Sequence, residues 1–168
     1  MNQAIQYLTQ RLNEQLKLRF GLSEDVVIAG RLINSNGSVP EENQGKVIFS
    51  IVNVTSEANR QFYGQKVGFA NAGKQETPPL LLNVELLLTA NFSDELESAK
   101  FLAAGIQFFH ECPFFTAETN PSFPAELEKV TVEICNLSLP ELDALWSAVG
   151  TPMIPSAMYR MRILQTNS

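Results

Sequence analysis

The stretch Pro78–His110, PPLLLNVELLLTANFSDELESAKFLAAGIQFFH, carries the strongest structural signal in the chain. From Leu80 to Ala90 the side chains alternate between two faces, which is typical of a strand with one buried and one half-open face. The alternation then stops, and Ser93 is predicted to cap a helix that begins at Asp94. The body of this helix, Leu96–His110, is apolar nearly all round, so we expect it to lie beneath other elements.

Strand and helix signals continue on both sides of this stretch. The other predicted elements are a helix over residues 2–19 ended by Gly21, strands Val26–Ile33, Lys46–Thr55 and Val130–Leu137, a helix from a Ser138/Glu141 capping box to Val149, and a last strand containing Ala157–Ile163. Apolar residues on both faces of Lys46–Thr55 indicate a central strand. The sequence therefore predicts one α/β (α+β) domain over residues 1–168, with a mixed sheet of about four to six strands and three main helices.

The composition is that of a globular domain and disfavours several classes of partner. Hydrophobic residues make up 45% of the chain and charged residues 18%, a balance that argues against disorder. The formal net charge is −6 and Lys and Arg form no run, so we expect no binding to nucleic acid or to an anionic membrane. The most apolar run, Leu80–Ala90, is too short to span a bilayer. Two cysteines and an N-terminus without a secretory signal predict assembly in the cytoplasm.

The segment Gly68–Gln75, GFANAGKQ, comes within one residue of a phosphate-binding loop. Gln75 stands where that motif needs Ser or Thr to hold Mg²⁺. Pro78 and Pro79 follow closely, so no helix N-terminus can begin there to bind a phosphate. A Gly-rich loop is the simpler interpretation, and we expect no nucleotide cofactor.

His110 and Cys112 form a second candidate cluster, as base and nucleophile. A spacing of two residues at a helix end directs their side chains to different sides. One histidine and two cysteines supply at most three of the four ligands of a structural zinc site, so we expect no metal. The chain is therefore not expected to be an enzyme. A small α/β ligand-binding protein or enzyme that uses the His110/Cys112 region stays open as the alternative.

Glu85 and Glu133 occupy matching places on two predicted strands. Paired carboxylates could indicate glycoside hydrolysis. Arg160 and Arg162 on the last strand favour a simpler interpretation, in which cross-strand ion pairs form on a half-open sheet face.

Several stretches, taken in order, resemble one known family over nearly the whole chain. Residues 80–92, LLLNVELLLTANF, are similar to the "LNL…ANF" strand of DUF4255, also called the Pvc16 N-terminal domain family. The other similar stretches are AIQYL…LN, VVIAGRLIN, KVIFSIVNVTSE, AKFLAAGIQFFHECPFFT, LEKVTVEICNLSLPELDALWSAVG and PSAMYRMRIL. This domain begins the tail-terminator or cap proteins of contractile injection systems of the antifeeding prophage and Photorhabdus virulence cassette type.

The resemblance implies a structural role with no catalytic residues. It implies a fold like that of phage tail terminators and a homohexameric ring that closes the distal end of the inner tube and the sheath. Such a ring sets the length of the particle and anchors the last sheath ring. The implied partners are sheath and inner-tube proteins and further copies of the chain, with no cofactor and no direct membrane insertion. Whether the chain caps a released particle or acts as an adaptor at a membrane stays open.

The long polar segment Ser56–Pro79 is the first candidate for an assembly surface. A loop of this length inside a compact domain is uncommon unless it is functional or disordered. A ring also needs two different patches on each subunit. The candidate interface residues are Arg60, Phe62, Tyr63, Lys66, Phe69 and Lys74 in this segment, with Arg160 and Arg162 on the last strand.

Overall fold

The computed structural model describes residues 1–57 and 80–165, which form three α-helices and six strands. In chain order these are α1 (Asn2–Phe20), β1 (Val27–Ala29), β2 (Lys46–Ser56), β3 (Leu81–Asn91), α2 (Glu95–Glu111), β4 (Phe114–Phe115), β5 (Leu127–Cys135), α3 (Leu139–Val149) and β6 (Ser156–Gln165), with a short 3-10 turn at Glu41–Asn43. The predicted α+β class and the three main helices are confirmed.

All six described strands belong to one sheet, in the order β1-β2-β3-β6-β5-β4. β1 runs parallel to β2, whereas every other neighbouring pair is antiparallel. The sheet is therefore mixed, as predicted. β3 and β6 lie at its centre, so the strand that opens the strongest sequence signal is also a central strand.

Helices α1 and α2 cover one face of the sheet and enclose the larger part of the core. The aromatic rings of α2 reach the sheet directly. Phe109 packs edge-to-face against Phe49 and at a tilt against Tyr159, with ring centroids 5.8 and 5.2 Å apart. Gly105 lets the α2 backbone approach β3, because a Cβ atom there would lie 3.0 Å from the Leu88 Cδ2 atom. The strand residues of this core are Val27, Val47, Phe49, Val84, Leu86, Leu88, Phe115, Leu127, Val130, Val132, Tyr159, Met161 and Ile163.

Helix α3 covers part of the opposite face. Trp146 is only 4% exposed and packs with Ile48, Leu87 and Met158 of the sheet, so α3 contributes its own small core. The other part of this face is half-buried to exposed and polar. We call it the polar sheet face, and it comprises Asn83, Glu85, Thr131, Glu133, Arg160 and Arg162.

Local sequence signals set most of the helix ends. Gly21 ends α1 with φ = 64°, a backbone conformation that suits glycine. The capping box predicted at the start of α3 is present, with the Ser138 and Glu141 side chains each bonded to the other residue's backbone N–H. The prediction of Ser93 as the cap of α2 is wrong. Asp94 takes that place, and its Oδ1 atom accepts the N–H groups of Leu96 and Glu97 at 2.7 and 3.0 Å.

Three further predictions need correction. β2 is an inner strand for only part of its length, because β1 pairs only with Val47–Phe49. α2 does not lie beneath other elements on every side, since Leu96 is 80% exposed. The predicted strand Val26–Ile33 is too long, since β1 comprises only Val27–Ala29, and after α2 the residues Phe114 and Phe115 form β4 on the edge of β5. Both β1 and β4 are too short to show a hydrophobic period.

Candidate functional site

The residues predicted for the assembly surface fall into two groups. Arg60, Phe62, Tyr63, Lys66, Phe69 and Lys74 lie outside the described residues. Arg160 and Arg162 are described, and both lie on the polar sheet face as the alternation of the last strand predicts.

Arg160 lies between two carboxylates on the polar sheet face. It is directly opposite Glu85 on β3 and Glu133 on β5. The Arg160 Nη2 atom is 3.5 Å from the Glu85 Oε1 atom, which confirms the predicted cross-strand ion pair. Both side chains are partly exposed, so this pair contributes at most about 1 kcal/mol. Arg162 has Asn83 and Thr131 as its cross-strand neighbours, and among the described residues it forms no salt bridge.

Within residues 1–57 and 80–165, no strand pairs with the outer edge of the second half of β2, and we call this the open edge of β2. β1 ends at Ala29, and Gly30 makes the last backbone bond to β2, from its N–H to the Phe49 oxygen at 2.9 Å. The Gly30 oxygen then accepts the Ser50 hydroxyl at 2.9 Å instead of the next backbone N–H of β2. Ile51, Val52 and Val54 beyond this point are 51%, 38% and 43% exposed, so an apolar strand edge faces solvent.

The alternation of the ladders shows which backbone groups this edge presents. The Glu57 N–H donates to the Leu81 oxygen of β3 at 3.0 Å, so Thr55 and Asn53 also face β3. Val54 and Ser56 therefore direct their backbone groups away from the sheet. The Val54 N–H is bonded by the Asn53 Oδ1 atom at 2.9 Å, and a β-bulge lies between Ile51 and Asn53. Bulges and polar side chains of this kind limit unwanted pairing at sheet edges.

A groove of about 730 Å³ follows the same edge. Its walls are the start of α1, with Ile5, and the end of α3, with Leu145 and Val149. Arg31 is the one charged side chain among the described residues that line it. The open edge of β2 and the groove therefore place exposed apolar side chains next to backbone groups that point away from the sheet.

The opposite edge of the sheet is formed by β5 and the short β4. Phe114 pairs with Thr131, and Phe115 pairs with Val130. Phe114 is 50% exposed and Ile134 of β5 is 44% exposed, so this edge also carries apolar side chains at the surface. The sequence predicted too long a strand, Val26–Ile33, at the first edge and no strand at the second, where β4 is only two residues long.

His110 and Cys112 both lie at the C-terminal end of α2. His110 lies in the last turn of α2, and Cys112 is the cap of that helix, with its N–H bonded to the Phe108 oxygen at 2.9 Å. No hydrogen bond joins their side chains. Within residues 1–57 and 80–165, no group of three or more His, Cys, Asp or Glu side chains could hold a metal ion.

Tyr159 is the most perturbed titratable group described. Its side chain is 2% exposed, and burial raises its pKa to about 12. The hydroxyl has no hydrogen-bond partner in the described part of the chain. Its environment is the aromatic core under α2, so the group is suited to packing and not to proton transfer near neutral pH.

Tyr159→Phe is expected to leave stability at pH 7 unchanged or up to about 1 kcal/mol higher, because it removes an unpaired buried hydroxyl. The folded state favours the neutral form of Tyr159. The contribution of this group to the free energy of unfolding is therefore complete below pH 10 and is lost as the pH rises towards 12. We expect denaturant unfolding at pH 8 and pH 11 to show a smaller loss of stability in the variant. Tyr7→Phe is the control, since burial raises the pKa of Tyr7 too. An equal loss in wild type and Tyr159→Phe would contradict this interpretation.

No helix within residues 1–57 and 80–165 is both long enough and apolar enough to cross a bilayer.

Among the solved structures that the chain matches is one described as a PVC sheath/tube terminator, in the extended state, of an extracellular contractile injection system. The identity is 12% and the TM-score 0.48, and the match covers 94% of this chain. The chain spans 56% of the length of that protein. No curated protein matches the sequence.

Comparison with family profiles gives a match to the Pvc16 N-terminal domain over residues 3–168. This is the family that the ordered stretches of the sequence resemble, and the match covers all the described strands and helices. Because the profile spans nearly the entire sequence, the chain belongs to the Pvc16 N-terminal domain family.

Proposed function

We propose that this protein is a structural terminator subunit, which closes the distal end of the inner tube and sheath of a contractile injection particle. The observation that carries the proposal is the family match over residues 3–168. Resemblance to this family implies that the chain is a cap protein. The solved terminator that the chain matches is named for the same pair of partners, sheath and tube. The role proposed here needs surfaces for neighbours and no active site.

In this proposal the subunits form a homohexameric ring. The ring sets the particle length and anchors the last ring of sheath subunits. It assembles in the cytoplasm and stays part of the particle. A subunit of a closed ring must present two different patches, one to each neighbour. The two unlike edges of the sheet, with exposed Val54 on one and exposed Phe114 on the other, are suited to such contacts.

Electron microscopy of particles made with and without this chain tests the role directly. With the chain present, we expect sheathed tubes of uniform length with a closed distal end. Without it, we expect tubes and sheaths of variable length, because nothing ends their growth. Particles of normal length and with normal ends in the absence of the chain would refute the proposal.

Removal of residues 60–73 is expected to leave a folded domain that no longer caps particles. The fold should survive because Glu57 and Leu81 are directly bonded, with N–H to oxygen at 3.0 Å, so a shortened connection still reaches. Circular dichroism and particle lengths measure the two outcomes. A Gly/Ser replacement of equal length is the matched control, and it should also fail if side chains of this segment form the contact. A deletion variant that still gives normal particles would show that this segment is not the contact.

A further inference from the structure

We propose that neighbouring copies of the chain join edge to edge, with β4 of one copy adding to the open edge of β2 in the next. This inference rests on the proposed ring, for which it names the contact. It also predicts a specific pair of neighbouring residues, Phe114 of one copy and Thr55 of the next.

The argument begins with the strand register across the sheet. Thr55 is opposite Asn83, Asn83 is opposite Arg162, Arg162 is opposite Thr131, and Thr131 is opposite Phe114. The next row, by the same pairings, contains Ser56, Leu82, Ile163, Val130 and Phe115. β4 therefore lies at the level of Thr55 and Ser56, which are in the open part of β2.

β1 occupies the other level of the sheet. It pairs with Val47, Ile48 and Phe49 and leaves the rows above them uncovered. The two edges are thus stepped in complementary ways. At one edge of the sheet, β1 covers only the rows of Val47–Phe49. At the opposite edge, β4 covers only the rows of Thr55 and Ser56. When two copies are placed side by side with their rows level, β4 fills the place that β1 leaves empty.

The strand directions are compatible with this placement. β3 is antiparallel to β2, β6 to β3, β5 to β6 and β4 to β5, so β4 runs in the same direction as β2. β1 also runs parallel to β2. A second copy's β4 would therefore extend the parallel pairing that β1 begins. Val54 and Ser56 supply outward backbone groups at the required rows, as the ladder alternation shows.

Equal levels are also what a closed ring requires. A heterologous contact that shifts each copy along the strand direction builds an open helical filament, whereas a contact without such a shift allows closure. Because Thr55 and Phe114 lie in the same row of one sheet, copies can pair without a shift along the strands.

Both edges carry exposed apolar side chains next to the proposed contact. Phe114 lies on the polar sheet face, in the row of Thr55, whereas Ile51 and Val54 lie on the face that α1 and α2 cover, so the contact buries apolar surface on both faces of the joined sheets. Arg31 is the charged residue of the groove beside β2, and exposed Glu111 lies just before β4. Their opposite charges favour the same orientation. These features together select a second copy of this acidic chain as the occupant of the open edge.

Disulfide trapping tests the contact. In a background with Cys112→Ser and Cys135→Ser, the double variant Thr55→Cys with Phe114→Cys places two thiols on neighbouring strands of adjacent copies. Strands lie about 4.8 Å apart, within the Cα separation that a disulfide bridges. After mild oxidation, we expect a ladder of head-to-tail multimers on a non-reducing gel, lost on reduction. The control pairs Thr55→Cys with Leu18→Cys, since Leu18 is 81% exposed on α1, and should give no ladder.

The outcomes separate this inference from the proposed function. A ring seen by mass measurement without the ladder would overturn the edge contact and leave the terminator role intact. A chain that neither oligomerises nor cross-links at its highest soluble concentration would also overturn the edge contact. A ladder together with normal particle ends in the absence of the chain would support the contact and refute the terminator role.

Discussion

Val54→Lys is expected to give a folded chain that no longer self-associates. Val54 is 43% exposed, and its N–H bonds the Asn53 side chain and not β3, so the substitution removes no ladder bond. The cost to the fold is therefore expected to stay below about 1 kcal/mol. A lysine on an open strand edge prevents another strand from pairing there, because its charge would lose water on contact. The proposed neighbour would bring β4 to this place, so the ring should be lost.

Mass photometry and circular dichroism measure the two parts of this expectation. Leu18→Lys is the matched control, because it also introduces a lysine at an exposed apolar position, on α1 and not on a strand. It should keep both the fold and the assembly of wild type. Assembly by Val54→Lys equal to that of wild type would show that the β2 edge is free in the ring. A loss of assembly in both variants would indicate a general effect of charge.

The centre of the fold could be predicted from the sequence because its signals are long. β3 alternates over many residues, and its two faces meet different layers. Leu86 and Leu88 lie under α1 and α2, whereas Leu87 lies under α3. Helix ends were predicted where one residue type is required, as at Gly21. At the start of α2, Ser93 and Asp94 are both good caps, and only the three-dimensional geometry distinguishes them.

The candidate surface could not be predicted in the same way. Val26–Ile33 was expected to be a full strand, but the chain leaves the sheet after Gly30, whose oxygen bonds the Ser50 side chain. That early departure creates the open edge of β2, and it depends on a contact between distant residues. β4 is likewise defined by its pairing with Val130 and Thr131 and not by any pattern of its own. The edges of a sheet are decided by tertiary contacts, which a local period does not record.

A buried polar residue on α1 also escaped the sequence pattern. The apolar stripe of this helix includes Leu8, Leu12 and Leu16, and the structure buries each of them. Asn13 lies beside this stripe and is only 7% exposed. Its Oδ1 atom accepts the N–H groups of Val26 and Val27 at 2.8 and 3.1 Å. Asn13 therefore attaches the start of β1 to α1 and satisfies two donors that have no strand partner there.

Asn13→Leu is expected to lower the free energy of unfolding by about 2–4 kcal/mol. Leucine is similar in size to asparagine, so packing is largely kept, but two buried N–H groups lose their acceptor and each such loss costs about 1–3 kcal/mol. For a protein of this size the loss corresponds to a fall in Tm of about 5–15 °C. Denaturant unfolding measures the change, with Gln10→Leu as the control, because Gln10 is an exposed polar residue of the same helix. That control should change stability by less than about 0.5 kcal/mol.

A second readout separates the hydrogen bonds from any change in packing. Hydrogen bonds from Lys17 and Asn13 hold the pKa of the Asp25 carboxyl below its usual value. Their contribution to stability is present above the unfolded pKa and is lost as the pH falls. In Asn13→Leu we expect the pKa of Asp25 to rise towards its usual value, and the amides of Val26 and Val27 to exchange faster with solvent. A variant with wild-type stability and unchanged exchange would mean that another acceptor replaces Asn13, and that β1 is attached to α1 by packing alone.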